Sequence, residues 1–370
     1  MRHVAHVPAS LHQQGVNADS GFLLWRHVSP CSAFQGFIIR PMNLTRRTCI
    51  SALACGALPC LQAQTLAVGA CVVDEVWIDA ARQREVPVKV RWPEVAAANA
   101  GPYPVVLFSH GLGGTREGGA LWGEAWAAAG FVVVHLQHAG SDLAAVRAVT
   151  NSFADQRALR SAAGPAQLLA RLRDVSFALD EIGRRHAAKQ QRWRSVRPVQ
   201  IGLCGHSFGA HTTLGMAGQR YPRFEGVTEP RLASFIAFSP SLPAVGDAGQ
   251  AFDRITRPLL CLTGTLDSDV LGVGATPERR RAVFDALPAG DKAQLVLREA
   301  DHMTFAGQTG RAVEIVPREQ MTRDLQAAHH ALVASITTDW WRATLLDAGA
   351  ARSRLSAPQG LSPGDSWQQK

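Results

Sequence analysis

The sequence lacks an internal repeat, a low-complexity block and a Pro/Ser-rich linker through its middle. These absences argue against a repeat protein and against two separate domains. Of the 370 residues, 46% are hydrophobic and 18% are charged, which is the composition of a globular protein with a sizeable core. One large domain is therefore expected, since single α/β domains routinely exceed about 200 residues.

Cysteine is scarce in the part of the chain that shows a folding pattern. Four of the seven cysteines lie in residues 1–63, which leaves Cys71, Cys204 and Cys261. An odd set of three is no disulfide framework, and its spacing is not that of metal ligands. Cys204 and Cys261 lie in apolar runs, where a free cysteine behaves as a small buried hydrophobe. We expect no metal and no organic cofactor.

The first residues are rich in arginine and almost free of acids. Residues 1–63 hold five Arg, no Lys and one Asp, and without them 33 basic and 29 acidic residues remain. The net charge then falls from +8 to +4, and no basic run interleaved with aromatics appears, so no nucleic-acid partner is expected. Residues 1–41 have no regular apolar period and are expected to lie outside the mature protein.

A signal-like pattern begins at Met42. Arg46-Arg47 is followed by an apolar run over residues 49–61, and Ala63 can serve as the small residue before a cleavage site. The run is shorter than the ~20 residues that span a bilayer, so we predict a signal peptide over 42–63 and no permanent membrane anchor. The expected location is periplasmic or secreted. The arginine pair also resembles a twin-arginine signal, although the residues after it match only loosely.

Short apolar runs then alternate with helical patterns. A hairpin is predicted at residues 72–78 and 86–92, and further strands are predicted at 103–108, 131–136, 199–204, 232–238, 259–263 and 293–297. Helices are predicted at about 117–129, 165–186, 207–219 and 321–346. This alternation predicts an α/β fold with a mostly parallel central sheet and helices on both faces, over a single domain at 64–350. Residues 351–370, rich in Pro, Gly and Ser, are expected to be a disordered tail.

The segment Gly205-His206-Ser207-Phe208-Gly209 lies between a predicted strand and a predicted helix. In that context G-x-S-x-G forms a sharp turn on which the serine hydroxyl stands clear of the sheet. The helix N-terminus behind the serine favours developing negative charge. Ser207 is the predicted nucleophile, and the alternative is a glycine-rich turn without catalytic function.

A serine nucleophile needs a base and an acid that orients the base. In this fold they follow in the chain order Ser, acid, His. His302 comes after the strand at 293–297 and is the predicted base. Asp267 and Asp269 both follow the strand at 259–263. Asp267 has the commoner spacing after the glycine turn and is the predicted acid, with Asp269 as the alternative.

The loop His110-Gly111-Leu112-Gly113-Gly114 follows the strand at 103–108. A tetrahedral intermediate needs two backbone N–H donors, which we predict to be those of Leu112 and Phe208. His110 and Gly111 are expected to bind substrate. A glycine-rich loop can also hold phosphate, but this one lacks the Lys-Ser/Thr ending of a P-loop.

Four segments together carry a family resemblance: Ser109-His110-Gly111-Leu112-Gly113-Gly114, His138-Ala139-Gly140-Ser141-Asp142, Arg173-Asp174-Val175 and Gly205-His206-Ser207-Phe208-Gly209. They resemble the bacterial dienelactone-hydrolase-like and platelet-activating-factor acetylhydrolase-like branch of the α/β-hydrolases, over about residues 72–346. The resemblance implies an α/β-hydrolase fold and serine esterase activity.

Two features depart from this branch. Dienelactone hydrolases proper use a cysteine where this chain has Ser207. In the acetylhydrolases the acid follows the sixth strand, where this chain has Ser239-Pro240-Ser241 and no carboxylate. The acid would instead follow the next strand, at Asp267, which argues against platelet-activating factor itself as the substrate.

The residues therefore predict an exported serine carboxylic ester hydrolase that acts through an acyl-enzyme. A small-molecule ester with a short acyl chain is the expected substrate, because the stretch at 140–164 is mixed in polarity and lacks the long apolar surface of a lipase. That stretch is expected to form part of the acyl pocket, a lid or a pair of surface helices. A serine peptidase or amidase, or a non-catalytic binding protein on the same fold, are the alternatives.

Overall fold

The apolar runs of the sequence form one mixed sheet whose six middle strands are parallel. The computed structural model describes residues 71–94, 101–150, 155–222, 224–268, 274–310 and 317–370. The strands of these residues are β1 (Cys71–Asp79), β2 (Arg84–Trp92), β3 (Val105–Ser109), β4 (Val132–Leu136), β5 (Ile201–His206), β6 (Leu232–Phe238), β7 (Leu259–Leu266), β8 (Lys292–Asp301) and β9 (Ser366–Gln369). They lie in the order β1-β2-β4-β3-β5-β6-β7-β8-β9, with antiparallel pairing at both edges.

Helices cover both faces of this sheet. Those of the described residues are α1 (Ala120–Ala128), α2 (Leu143–Val149), α3 (Gln156–Ala162), α4 (Pro165–Ala187), α5 (Phe208–Ala217), α6 (Ala248–Phe252), α7 (Pro277–Ala286), α8 (Gln320–Leu345) and α9 (Gly349–Ser356). Helices α4, α5 and α7 bury apolar side chains in a core on one face, and α1, α8 and α9 do so on the other. This is the α/β-hydrolase architecture that the sequence predicts.

The position of each strand explains its composition. Every residue of β3, β4 and β5 is buried, as expected for mostly apolar strands enclosed between two helix layers. The edge strand β1 instead alternates between exposed and more buried residues. Because β3 to β8 are parallel, their carboxyl ends meet at one edge of the sheet, which is where α/β proteins bind ligands. The predicted nucleophile, acid, base and glycine-rich loop all follow strands at this edge.

The prediction of a disordered tail at residues 351–370 is wrong. Strand β9 pairs with β8 as its antiparallel neighbour, with Trp367 opposite Leu295. Ala351 and Leu355 of α9 are buried in the core shared with α8. The glycines that suggested disorder serve turns, since Gly360 and Gly364 have φ of 88° and 95°. The folded unit therefore includes α9 and β9. The apolar contacts of α9 and the pairing of β9 with β8 stabilise this segment despite its content of Pro, Gly and Ser.

The two N-terminal predictions, for residues 1–41 and for the signal peptide at 42–63, lie outside the described residues. The described residues all fall in one compact unit, residues 65–370. Within them, no helix combines the length and the apolar character needed to cross a membrane.

Candidate active site

Ser207 occupies the turn between β5 and α5. Its φ of 56° and ψ of −113° are unusual for a residue with a side chain, and such strain is common at functional turns. The two glycines of the motif are required by close packing. A Cβ on Gly205 would collide with the backbone oxygen of Gly209, and one on Gly209 would collide with the backbone oxygen of Ser109. The turn leaves Ser207 partly exposed at the carboxyl edge of the sheet.

Asp267 and His302 meet at the same edge, after β7 and β8. His302 donates from Nδ1 to Oδ1 of Asp267 over 2.8 Å, since an ionised carboxylate can only accept. The other carboxylate oxygen accepts from the hydroxyl of Thr263 at 2.9 Å. Asp267 is fully buried and His302 is 4% exposed. This arrangement fixes the tautomer of His302 and leaves Nε2 without the proton, ready to accept one.

The imidazole of His206 connects this pair to the serine. Its ring packs against the ring of His302, with 4.7 Å between centroids, and its Nε2–H donates to the backbone oxygen of His302 at 2.9 Å. Burial, together with the positive charge that His302 can carry, lowers the pKa of His206 to about 3, so it stays neutral. Because His206 immediately precedes Ser207, these contacts hold the residue before the serine against His302. Within the described residues no hydrogen bond joins the Ser207 hydroxyl to His302, and such bonds often tighten only when substrate is bound.

The glycine-rich loop after β3 lies directly against Ser207. A Cβ built on Gly111 would be 3.6 Å from Cβ of Ser207. The N–H of Gly113 donates to the backbone oxygen of Ser141 at 3.0 Å and is therefore occupied. In the part of the chain that the structure describes, the N–H groups of Leu112 and Phe208 donate to no protein acceptor. Two unoccupied amides beside a serine can hold a negatively charged oxygen.

Residues 74–197 match the family model described as "Platelet-activating factor acetylhydrolase, isoform II". The chain is similar to that family. The match confirms the resemblance predicted from the motifs and indicates a hydrolase of the ester type. No curated protein shows significant similarity to the chain.

The matched segment covers about a third of the chain. It includes the loop at residues 110–114 and the helix α4. It ends before the turn over residues 205–209 that carries Ser207, which we call the elbow, and it does not reach Asp267 or His302. The family match therefore supports the acetylhydrolase-like fold over the glycine-rich loop and α4, whereas the arrangement of Ser207, Asp267 and His302 rests on the geometry described above.

Arg280 of α7 is a site residue that the sequence analysis did not single out. It is 5% exposed, and its Nε lies 3.0 Å from Oδ1 of Asp267. Burial alone would raise the pKa of Asp267, but the guanidinium of Arg280 and the hydrogen bond from His302 lower it to about 2. Asp267 is therefore ionised near neutral pH. Arg280 is the middle member of three consecutive arginines, and no local pattern distinguishes it from its neighbours.

The expectation that His110 binds substrate is contradicted by its surroundings. The side chain is 1% exposed. Its Nε2 accepts from the N–H of His138 at 3.0 Å, which assigns the proton to Nδ1, and Nδ1 donates to the backbone oxygen of Gly111 at 2.6 Å. Both ring nitrogens are thus occupied by backbone groups. His110 holds the loop in place, whereas Gly111 lies beside the serine.

A second Ser-His-Asp arrangement lies under this loop. The hydroxyl of Ser109 is 2.9 Å from Nε2 of His138, and Nδ1 of His138 is 3.0 Å from Oδ2 of Asp174. All three residues are 0% exposed. Arg84 and Arg82 neutralise Asp174 from the other side, at 2.7 and 2.9 Å. Without access to substrate, this arrangement ties β3, the loop after β4 and α4 together.

Three further predictions concern the alternative acid, a metal site and the cysteines. Asp269, the alternative acid, lies outside the described residues. No cluster of three or more His, Cys, Asp or Glu suited to a metal ion occurs among the residues that the structure describes. Cys71, Cys204 and Cys261 are free thiols. Burial raises the pKa of the Cys204 thiol well above its ordinary value, so it is no rival nucleophile.

Proposed function

We propose that this protein is a serine carboxylic ester hydrolase that acts through an acyl-enzyme, with Ser207, His302 and Asp267 as its catalytic residues. The observation that carries the proposal is the 2.8 Å contact between Nδ1 of His302 and Oδ1 of Asp267 beside the strained turn at Ser207. Asp267 keeps the proton of His302 on Nδ1, so Nε2 can take a proton from the serine hydroxyl.

In the first step the Ser207 oxygen attacks the ester carbonyl carbon, and its proton passes to Nε2 of His302. The carbonyl oxygen becomes negatively charged. The N–H groups of Leu112 and Phe208, which donate to no acceptor among the described residues, are proposed to bind it. Collapse of this intermediate expels the alcohol, which receives the proton from His302. Water then attacks the acyl-enzyme by the same sequence, releases the acid and restores Ser207.

The proposed substrates are soluble esters with short acyl chains. The stretch at residues 140–164 contributes α2 and α3, whose N-termini are capped by Asp142 and Asp155. The apolar residues Val146 and Leu159 of these helices are buried at 2% and 1% exposure, so they are not displayed to a lipid surface. Phe208 and Leu112 are proposed to shape a modest apolar pocket for the acyl group.

Export through a signal peptide at residues 42–63 is part of the proposal and is supported by the apolar run at 49–61 with its preceding arginine pair. Cleavage after Ala63 would give a mature N-terminus at Gln64. N-terminal sequencing of protein recovered from the periplasm or the medium tests this step, and an N-terminus upstream of residue 49 would contradict it.

The test of the activity is a panel of p-nitrophenyl esters run beside matched p-nitroanilides, with active sites titrated by a fluorophosphonate. We expect ester turnover, slow or no anilide turnover and a single label on Ser207. Faster cleavage of the anilides would assign a peptidase or amidase instead, because the same residues can cleave amides. A protein that neither turns over nor takes the label would be a binding protein.

A further inference from the structure

Arg171 of α4 is a fully buried arginine that lies under the glycine-rich loop. Its Nη1 donates to the backbone oxygen of His110 at 2.5 Å, and its Nη2 donates to that of Gly111 at 3.3 Å. Its Nε donates to the hydroxyl of Ser141 at 2.8 Å, and Ser141 in turn accepts the N–H of Gly113. One guanidinium therefore holds the loop at three points.

The same side chain also contacts the elbow. The carbon Cζ of Arg171 lies 4.2 Å above the ring centroid of Phe208, within the range of a cation–π contact. Leu112 and Phe208 are the residues whose N–H groups are proposed to bind the oxyanion. Arg171 thus contacts both elements on which the two donors lie, the loop after β3 and the first turn of α5.

The peptide bond between Gly111 and Leu112 shows how these contacts act. In a trans peptide the C=O and the N–H point in opposite directions. The Gly111 oxygen accepts from Arg171 and from Nδ1 of His110, so it is held on the inner side of the loop. The N–H of Leu112 must then point outward, away from both side chains. Donation to the carbonyl also polarises the peptide, which makes that N–H a stronger donor.

Within the part of the chain that the structure describes, the charge of Arg171 has no direct counter-ion. Among the described residues no carboxylate lies within ion-pair distance of it, and its partners are backbone oxygens and the hydroxyl of Ser141. Burial lowers the pKa of Arg171 to about 9, although Asp174 and Asp142 act to raise it. It therefore stays protonated near neutral pH. A buried cation without a carboxylate partner costs folding free energy, which a role in the reaction would explain.

We propose that Arg171 is a positioning residue of the oxyanion hole: it fixes the Gly111–Leu112 peptide and places a positive charge on the inner side of the loop that binds the oxyanion. This inference rests on the proposed esterase function. The charge and the orientation favour the tetrahedral intermediate more than the neutral ester, so Arg171 should act on kcat more than on KM.

The test compares Arg171→Gln and Arg171→Lys with the wild-type protein on a short p-nitrophenyl ester, with active sites titrated by a fluorophosphonate. We expect Arg171→Gln to lower kcat roughly 30- to 100-fold with KM changed less than about threefold, since direct loss of one oxyanion donor costs about 10²–10³. Arg171→Lys keeps the charge but not the planar fork, and we expect a loss of about five- to tenfold. Arg91→Gln is the matched control, because Arg91 of β2 is also buried but pairs with a carboxylate, that of Glu124 in α1.

A second measurement separates this role from a structural one. A trifluoromethyl ketone forms a hemiketal with the Ser207 oxygen; the carbonyl oxygen becomes the oxyanion and the proton passes to His302. Its affinity should fall in parallel with kcat/KM in the Arg171 variants, whereas the affinity of the corresponding alcohol should not. If Arg171→Gln does not fold, the kcat and the ketone affinity of Arg171→Lys test the proposal alone.

Unchanged kcat per titrated site in either variant would overturn the inference, as would equal losses of ketone and alcohol affinity. These results differ from failure of the proposed function itself. In that case the wild-type protein would neither hydrolyse esters nor take a fluorophosphonate on Ser207, whatever residue occupies position 171.

Discussion

Nε of Arg280 and Nδ1 of His302 both lie within 3.0 Å of the same atom, Oδ1 of Asp267. Arg280 also donates to the backbone oxygen of Asp267 at 2.8 Å and to that of Ser239 at 2.6 Å. One arginine therefore fixes both the charge and the position of Asp267. A carboxylate buried in this way would otherwise tend to take up a proton.

Replacing Arg280 by Gln should destabilise the protein by about 3 kcal/mol, since removal of one partner of a buried ion pair leaves the other charge uncompensated. Urea unfolding at pH 7 measures this change. The exposed neighbour Arg279 provides the matched control, because within the described residues its guanidinium donates to one group, the backbone oxygen of Pro243. Arg279→Gln should change the free energy of unfolding by less than about 0.5 kcal/mol. Equal effects of the two variants would show that the Asp267 contact is not stabilising.

The pKa of Asp267 predicts how stability depends on pH. The folded-state pKa of about 2 lies below the ordinary 3.8, so the ionised form contributes stability above about pH 4, and this contribution is lost as the pH falls through about 2. The shift corresponds to a contribution on the order of 2 kcal/mol. Unfolding free energies measured between pH 5 and pH 2 should fall more steeply for the wild-type protein than for Asp267→Asn. Parallel curves would remove Asp267 as the cause.

Asp267→Asn should lower kcat by roughly 10⁴-fold, because an amide at this position favours the wrong tautomer of His302. The variant should remain folded and should still be expressed. Asp269→Asn is the control, and its activity should change little. The opposite ranking of the two variants would move the acid to Asp269.

The strands and the turn at Ser207 could be predicted from the sequence, whereas the role of Arg280 could not. The buried strands and the turn at Ser207 were predictable because apolar runs and G-x-S-x-G are local patterns. The edge shared by the strands followed from their parallel order, which placed Asp267 and His302 near the elbow. Arg280 and Arg171 were not foreseen, because each lies on a helix and contacts residues outside that helix, which no local sequence pattern reveals.

The prediction that His110 binds substrate was wrong because contacts from another part of the fold determine its surroundings. Its position in the loop suggested contact with substrate, but its environment is set by the N–H of His138, which comes from the loop after β4. The C-terminal tail failed because strand pairing with β8 cannot be read from Pro, Gly and Ser content. Tertiary partners decided both cases.

Mutation should distinguish the roles of two serines. The hydroxyl of Ser109 lies 2.9 Å from Nε2 of His138, and Ser207 lies on the strained turn before α5. Ser207→Ala should lower kcat by about 10⁶-fold without loss of fold. Ser109→Ala should leave kcat within about threefold, because the array Ser109–His138–Asp174 is closed to substrate. Mass spectrometry of the fluorophosphonate adduct should find the label on Ser207 alone. A label on Ser109, or a large loss of kcat in Ser109→Ala, would show that the inner array opens to solvent.

The preference for short acyl chains depends on what α2 and α3 present to solvent. An interfacial lipase displays a contiguous apolar surface, whereas these helices bury Val146 and Leu159 and expose the single large apolar side chain of Val149 at 55%. kcat/KM measured over p-nitrophenyl esters of two to sixteen carbons should therefore peak at short chains and fall steadily beyond. Val149→Asp should leave both the profile and the activity on emulsified substrate unchanged, since one exposed valine is no lipid-binding surface. A maximum at twelve carbons or longer, or a selective loss of long-chain activity in Val149→Asp, would assign these helices to a lipid-facing lid instead.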